Sequence, residues 1–204
     1  MDKLTYLQSR DISLAAVIGY VTEHDETVVL RDKVSDCASL IRAIVSQQIS
    51  TTVARVIFNR LLDITANNEI TAESLAAIPS ESLRDIGLSK QKISYIQGIA
   101  DALINHRLDL VGLYEMSDED AVTELQKLKG IGEWTAQMFA LFQMEREDIF
   151  PVKDGGIRSA MKKLYSVEDI QDSEMINIAE SWRPYRSLAC KYLWGALNIG
   201  YFKS

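Results

Sequence analysis

Apolar residues recur every three or four positions along most of the 204-residue chain, which is the period of an amphipathic α-helix. The alternating pattern of a β-strand is nearly absent. The one extended candidate, residues 27–30, is too isolated to form a sheet. The pattern therefore predicts an all-α protein with about nine to eleven helices.

Residues that favour helix ends stand beside several of the apolar segments. Asp36 and Ser50 are expected to cap two consecutive helices, and Ser117 a third. Gly87 is expected to end a short helix, and Pro184 is expected at the first position of the last one. In the two consecutive helices, the positions expected to face inward are Leu40, Ile41, Ile44 and Val45, followed by Val53, Val56, Ile57 and Leu61.

A tight turn at Gly130-Ile131-Gly132 joins two of the predicted helices, so residues 118–143 are expected to form a helix–hairpin–helix. Glycine adopts positive φ and lets another backbone approach closely, which suits such a turn. The first amides of the second helix would point outward and offer a site for phosphate. A purely structural αα-hairpin has the same pattern, so the turn alone leaves both interpretations open.

Composition and charge exclude only a few classes of protein. The chain has 47% hydrophobic and 25% charged residues, as ordinary globular proteins do. No apolar run reaches the roughly 18 residues of a membrane span or resembles a signal peptide, so a cytosolic location is expected. Cys37 and Cys190 lack the spacing of a disulfide framework or a metal site and are expected in the core. The net charge of −7 argues against a nucleic-acid partner, although backbone amides can bind phosphates without lysines.

Four blocks of sequence carry a resemblance to a known family, at residues 46–50, 128–136, 148–154 and 182–189. In order and spacing they resemble the helix-hairpin-helix (HhH-GPD) DNA glycosylases, and within that superfamily the 3-methyladenine DNA glycosylase II branch. The resemblance extends over nearly the whole chain. It implies an all-α fold of two helical subdomains with the active site in the cleft between them. It also implies that residues 1–204 form one glycosylase core without an extra N-terminal domain.

The resemblance assigns roles in base release to four residues. Asp154 matches the family's catalytic aspartate. Trp134 stands where bifunctional relatives carry a lysine that forms a Schiff base, so strand cleavage by that route is not expected. Trp134, Met138 and Trp194 match positions that line the base pocket, and Met138 replaces a tyrosine of one branch. From the residues alone, Asp154 is also typical of a helix N-cap, and the two tryptophans are typical of core aromatics.

Further residues are implicated in contact with DNA. Gln48 matches the wedge that fills the hole left by an extruded nucleotide, although a hydrogen-bonding loop residue explains it equally well. Gly130, Gly132 and Lys129 are expected to contact the phosphate backbone. Lys129 departs from the family's usual proline, which removes rigidity from the turn and adds a cation. The backbone carbonyls that match a family site for a structural Na⁺ or K⁺ are those of Gln126, Leu128 and Ile131.

The function that the resemblance implies is monofunctional excision of alkylated purines, such as 3-methyladenine and 7-methylguanine, from duplex DNA in base excision repair. The enzyme is expected to act as a monomer without a required cofactor, in the bacterial cytoplasm or a eukaryotic nucleus. An alkylated purine is a cationic leaving group that electron-rich tryptophans attract, and a carboxylate at Asp154 stabilises the oxocarbenium-like sugar. Two alternatives stay open: a non-catalytic module that binds damaged DNA, and a glycosylase of another base specificity.

Overall fold

The computed structural model describes residues 1–24 and 34–202, and those residues are helical with no β-strand. The all-α prediction is therefore confirmed, while the extended candidate at residues 27–30 lies outside the described residues. Within the described ranges there are twelve α-helices and three short 3₁₀ turns, more than the nine to eleven helices expected. The helices are α1 (Lys3–Arg10), α2 (Ile12–Glu23), α3 (Asp36–Ser46), α4 (Thr51–Ile64), α5 (Ala72–Ala76), α6 (Ser80–Asp85), α7 (Lys90–Ile104), α8 (Asp118–Gln126), α9 (Glu133–Phe142), α10 (Gly155–Leu164), α11 (Asp172–Ala179) and α12 (Arg186–Asn198). The 3₁₀ turns are Ala66–Asn68, Gly112–Glu115 and Glu180–Trp182.

The chain divides into two compact units. One consists of Met1–Asp32 together with Ala140–Ser204, and the other of Lys33–Phe139. None of the described helices is long and apolar enough to cross a membrane. Among the described residues, no group of three or more His, Cys, Asp or Glu side chains is arranged to hold a metal ion.

In the first unit, helix α12 packs against both α2 and α10. Gly195 brings α12 close to α2, because a Cβ added there would lie 3.3 Å from a methyl group of Val21. Cys190 is fully buried on α12, which confirms its expected place in the core. The buried apolar side chains of these three helices include Leu14, Val17, Ile18, Val21, Ile157, Ala160, Met161, Ala189, Leu193 and Ala196.

A partly buried polar cluster around Asp11 connects the start of α2 to distant parts of the same unit. One oxygen of the Asp11 carboxylate accepts the backbone amides of Ser13 and Leu14 at 3.0 Å, so the residue caps α2. The other oxygen accepts the Tyr165 hydroxyl at 2.5 Å and the indole N–H of fully buried Trp182 at 2.9 Å. Burial of the carboxyl by itself raises its pKa, but these hydrogen bonds together outweigh burial and lower the pKa.

In the second unit, α7 packs against α3, α5 and α6. Its N-cap is Ser89, whose hydroxyl accepts the Lys92 amide, and its inner face buries Ile93, Ile96 and Ile99. Gly87 precedes it with a φ of +105°, which confirms the expected helix stop. Cys37 on α3 is also buried, and burial raises the pKa of its thiol to about 11.

Several local expectations were wrong by a small shift in position. Ser35, not Asp36, caps α3, since the Ser35 hydroxyl accepts the Ala38 amide. Val53 and Val56 on α4 are 47% and 43% exposed, because the apolar stripe of this helix is wider than the face it buries. The buried face consists of Ala54, Ile57, Phe58 and Leu61.

Two further differences from the sequence analysis lie near the chain ends. Pro184 does not begin the last helix, which starts at Arg186 after the N-cap residue Tyr185. Helix α1 was not expected, because only Leu7 of its eight residues is buried and so the segment has no apolar period. Ser50 and Ser117 do cap α4 and α8 as predicted.

We expect Asp11→Asn to lower the free energy of unfolding at pH 7 by about 1–3 kcal/mol, because an amide has only one accepting oxygen and would present its NH2 group either to the backbone amides of α2 or to the Tyr165 and Trp182 donors. The lowered pKa of Asp11 means that its contribution is present above the ordinary value of 3.8 and is lost as pH falls through the folded-state value. Urea unfolding from pH 7 down to pH 3 should therefore show a flatter acid dependence for Asp11→Asn. Tyr165→Phe, which removes one donor, is the matched control with a smaller loss. Parallel pH curves for Asp11→Asn and the unchanged protein would contradict this role.

Candidate functional site

Asp154 begins helix α10, and its side chain is folded back onto the helix start. The carboxylate Oδ1 accepts the backbone amide of Ile157 at 2.8 Å, which makes Asp154 the N-cap. Its own amide donates to the Pro151 carbonyl at 2.9 Å, so the chain turns tightly before the helix. The residue is only 8% exposed. Because a helix N-terminus favours negative charge, this position suits a buried carboxylate.

Trp194 on α12 donates its indole N–H to the same oxygen, Oδ1 of Asp154, at 3.0 Å. Two of the residues that the sequence singled out are therefore in direct contact. The indole also stacks on the ring of Phe142, with centroids 5.6 Å apart and planes 28° from parallel. The side chain is half-buried, so it is not a simple core aromatic.

Gly156 makes room for this contact. A Cβ added to Gly156 would lie 3.1 Å from Oδ1 of Asp154 and 3.2 Å from both Cδ1 and Nε1 of Trp194. These separations are shorter than ordinary van der Waals contacts, so the indole or the carboxylate would have to move. The preceding Gly155 differs, since a Cβ there meets no atom within 4 Å.

The segment that leads to Asp154 is fastened to the beginning of α12. Arg186 donates from Nε to Oδ1 of Asp148 at 2.8 Å, and Arg183 donates to Oδ2 at 2.7 Å. The hydroxyl of Ser187 accepts the Ile149 amide at 2.9 Å. Asp148 is thus bound by two arginines, which join the segment before Asp154 to the beginning of α12.

Other ionisable groups near Asp154 offer no nucleophile. Burial, followed by the charge of Asp154, raises the pKa of the Cys190 thiol, so this cysteine stays protonated. Arg158 and Lys153 both form ion pairs with Asp172. Of these groups, Asp154 alone combines burial at a helix start with an indole donor.

The helix–hairpin–helix expected at residues 118–143 is present as α8, a turn and α9. Gly130 has a φ of +95°, and a Cβ added there would lie 2.3 Å from the ring of Tyr95. Glycine is therefore required at this position for two reasons, the backbone conformation and the close approach of Tyr95. Gly132 has no positive φ, and a Cβ added there meets no atom within 4 Å.

The turn at residues 46–50 is hydrogen-bonded to the hairpin. Gln47 donates its side-chain amide to the Gly130 carbonyl at 2.9 Å. The Lys92 ammonium donates to the carbonyls of Val45 and Gln47 at 2.7 and 2.8 Å, which holds the end of α3. Gln48, the expected wedge, is exposed and has a φ of +58°, a conformation that is uncommon for residues other than glycine.

The remaining predicted residues lie on the hairpin at different depths. Trp134 is 44% exposed, which excludes a core position, whereas Met138 is only 5% exposed. Lys129 is exposed. Trp134 and Met138 belong to the second unit, and Asp154 and Trp194 belong to the first. Their grouping into one base pocket stays a prediction.

The expected cation site consists of carbonyl oxygens, the donors that hard cations take. The Leu128 carbonyl already accepts the Ile131 amide at 3.0 Å, and its second lone pair is the one a cation would use. Gln126 is exposed, and Ile131 is 4% exposed. Carbonyl oxygens are suitable ligands for Na⁺ or K⁺, and the presence of a cation here stays a prediction.

Sequence reasoning missed the residues that support the site from a distance. Tyr95, Lys92 and Phe142 were not singled out, because each acts through a residue that is far away in the sequence. The sequence singled out Gln48, but its pattern gave no indication that the neighbouring Gln47 binds the hairpin.

Comparison with known proteins adds independent evidence. DNA-3-methyladenine glycosylase 1 of Schizosaccharomyces pombe is 34% identical over 158 residues, which are 76% of this chain and 69% of that protein. The crystal structure of DNA-3-methyladenine glycosidase from Bacillus halodurans superimposes with a TM-score of 0.87 at 30% identity, covering 100% of this chain and 92% of that one. The S. pombe 3-methyladenine DNA glycosylase in complex with abasic DNA gives a TM-score of 0.80 at 28% identity, covering 97% of each chain.

The family-level match covers most of the chain and includes the first three sequence blocks in full and the first three residues of the fourth. It extends over residues 41–184, from within α3 to just before α12, and so includes the hairpin, Gln48 and Asp154. The chain therefore belongs to the HhH-GPD superfamily of base excision DNA repair proteins.

Proposed function

We propose that this chain is a monofunctional DNA glycosylase that hydrolyses the N-glycosidic bond of alkylated purines in duplex DNA. The observation that carries the proposal is the Asp154 carboxylate, 8% exposed and bonded through Oδ1 to Ile157 and Trp194. The names of the S. pombe and B. halodurans relatives support 3-methyladenine as a substrate class. The relative solved with abasic DNA supports DNA as the partner.

Cleavage of the glycosidic bond leaves positive charge on the sugar as the base departs. A fixed carboxylate stabilises that charge in a water-poor site and costs little reorganisation when the reaction occurs. The same group can orient or deprotonate the attacking water. An alkylated purine is already cationic and leaves readily, so one well-placed anion is a sufficient catalytic group for this substrate class.

The residue at position 134 supports a hydrolytic rather than a lyase reaction. An indole at Trp134 has no amine that could form a Schiff base with the sugar. Trp134 is 44% exposed, and we propose that its electron-rich ring attracts a cationic base, an interaction worth roughly 0.5–2 kcal/mol. The cysteines offer no alternative nucleophile, because both are buried and their pKa values are raised.

The hairpin is proposed to grip the DNA backbone. Lys129 supplies an exposed cation, and the amides at the start of α9 supply donors for a phosphate. The carbonyls of Gln126, Leu128 and Ile131 would hold Na⁺ or K⁺, which would supply positive charge beside that phosphate. Exposed Gln48 would enter the space left by the extruded nucleotide.

The first test is release of bases from DNA treated with a methylating agent. We expect the protein to release 3-methyladenine and 7-methylguanine, detected by chromatography, and to leave abasic sites in strands that stay intact until treated with alkali. Intact DNA binding without release of any base would favour the non-catalytic damage-binding alternative, which the net charge of −7 makes worth testing. Strand cleavage without alkali would contradict the monofunctional reaction.

We expect Asp154→Asn to fold and bind DNA normally while base release slows by about 100-fold or more, the scale of losing one electrostatic stabiliser. Asparagine keeps the shape and the capping oxygen but removes the charge. The measurement is the single-turnover rate with enzyme in excess over methylated DNA. The matched control is Asp169→Asn, an exposed acid of the same unit, which makes the same change in net charge. Equal rates for Asp154→Asn and the control would rule out Asp154 as the catalytic residue.

Substitution by alanine should have different effects at the two glycines of the hairpin. Gly130→Ala places a side chain at positive φ against Tyr95, so we expect Tm to fall by roughly 2–8 °C. Affinity for abasic-site DNA should fall with it. Gly132→Ala meets no protein atom, so Tm should be unchanged and any loss of affinity reports close approach of the DNA itself. Unchanged DNA affinity in both folded variants would show that the hairpin is not part of the surface that contacts DNA.

A further inference from the structure

The hydrogen bond between Trp194 and Asp154 suggests a role for the tryptophan other than stacking on the base. The indole N–H and the Ile157 amide donate to the same carboxylate oxygen, at 3.0 and 2.8 Å. Two donors from different helices fix both the position and the rotation of the carboxylate, because one comes from α10 and the other from α12. A single N-cap bond would leave the side chain free to turn about it.

The indole is itself held in the orientation that this bond requires. Phe142 stacks on one face of the ring at a centroid distance of 5.6 Å, and that face is therefore covered. The Nε1–Cδ1 edge fits into the space beside Gly156, where a Cβ would lie at 3.2 Å from both atoms. The stacked ring and the missing side chain together direct the N–H toward Asp154.

We propose that Trp194 is a positioning residue for Asp154, acting through its indole N–H, and that Gly156 is the glycine that permits this contact. The inference rests on the proposed glycosylase function. It adds a specific claim, that the catalytic orientation of the carboxylate is set from α12. A role limited to base stacking would require neither the hydrogen bond nor the missing Cβ at position 156.

The two roles of Trp194 make different predictions for kinetics. A stacking residue acts on the departing base, so its loss should affect different bases to different extents and should still be felt when Asp154 is absent. A positioning residue acts through the carboxylate, so its loss should slow the release of every base by the same factor. It should also have no effect once the carboxylate has been replaced.

The experiment is a double-mutant cycle with Trp194→Phe, Asp154→Asn and the double variant. Phenylalanine keeps an aromatic face but removes the N–H donor. Single-turnover release of 3-methyladenine and of 7-methylguanine is measured from the same methylated DNA, corrected for spontaneous loss. We expect Trp194→Phe to slow the release of both bases equally, by about 10-fold. Its affinity for abasic-site DNA should stay within about twofold of that of the unchanged protein. In the Asp154→Asn background, Trp194→Phe should add no further slowing.

Unequal slowing of the two bases, or the same slowing with and without the Asp154 carboxylate, would overturn the positioning role while leaving the proposed function intact. A wild-type rate for Trp194→Phe would do so as well. If Asp154→Asn itself keeps the wild-type rate, the proposed function of Asp154 fails, and the positioning role fails with it. The two failures are thus distinguished by the single variants.

A second pair of variants tests the same contact without altering the tryptophan. Gly156→Ala should displace the indole or the carboxylate and slow base release by about 10-fold, whereas Gly155→Ala should keep the rate of the unchanged protein. Both glycines lie in the first turn of α10, and alanine favours a helix more than glycine does, so helix propensity alone destabilises neither variant and the variants differ in the contact at position 156. Equal rates for the two variants, measured alongside Tm, would overturn the role of Gly156.

Discussion

The candidate site depends on one carboxylate oxygen, Oδ1 of Asp154, which accepts one hydrogen bond from α10 and one from α12. This arrangement requires the two helices to keep their packing. Gly195 and Val21 hold α12 against α2, and the pairs between Asp148 and the arginines at 183 and 186 hold the approach to Asp154 onto α12. We expect a change in any of these contacts to shift Trp194 relative to Asp154.

The acidic composition is the property that fits a DNA enzyme least well. The chain has 29 acidic and 22 basic side chains, so nonspecific attraction to phosphate is weak. Several cations are also engaged within the first unit, since Lys3 pairs with Glu147, and Lys153 and Arg158 pair with Asp172. A small number of well-placed contacts, including backbone amides of the hairpin, would supply the affinity instead. Binding of this kind favours a defined register on DNA over a strong general attraction.

Much of the fold was predictable because caps and helix stops are local signals. Ser50, Ser117 and Gly87 mark helix ends through interactions with their own neighbours, and each prediction was confirmed. The predicted buried face of α4 was wrong at Val53 and Val56, because these exposed residues are as apolar as the residues that are buried. Only packing decides which part of a wide apolar stripe faces inward. Helix α1 was not predicted because it has a single buried side chain, which leaves no apolar period in its sequence.

The site was predictable to the extent that its residues sit in a characteristic order. Asp154 was found from its block and from the capping pattern, and the structure places it at the start of α10 as expected. Trp194 was expected only at the base pocket and Tyr95 was not expected at all, because the contact of Tyr95 with Gly130 and that of Trp194 with Asp154 join positions 35 and 40 residues apart. A glycine such as Gly156 is harder still to interpret, since its contribution is the absence of a Cβ.

The central claim is that the Asp154 carboxylate stabilises positive charge on the sugar. The most direct measurement compares the affinity for duplex DNA that carries a cationic pyrrolidine in place of one deoxyribose with the affinity for DNA that carries a neutral tetrahydrofuran. Transition-state mimics bind enzymes more tightly when the mimicked charge is recognised, so the unchanged protein should prefer the pyrrolidine by at least about 10-fold. Asp154→Asn should lose that preference and bind the two DNAs alike. Equal affinity in the unchanged protein, or a preference that survives in Asp154→Asn, would contradict the claim.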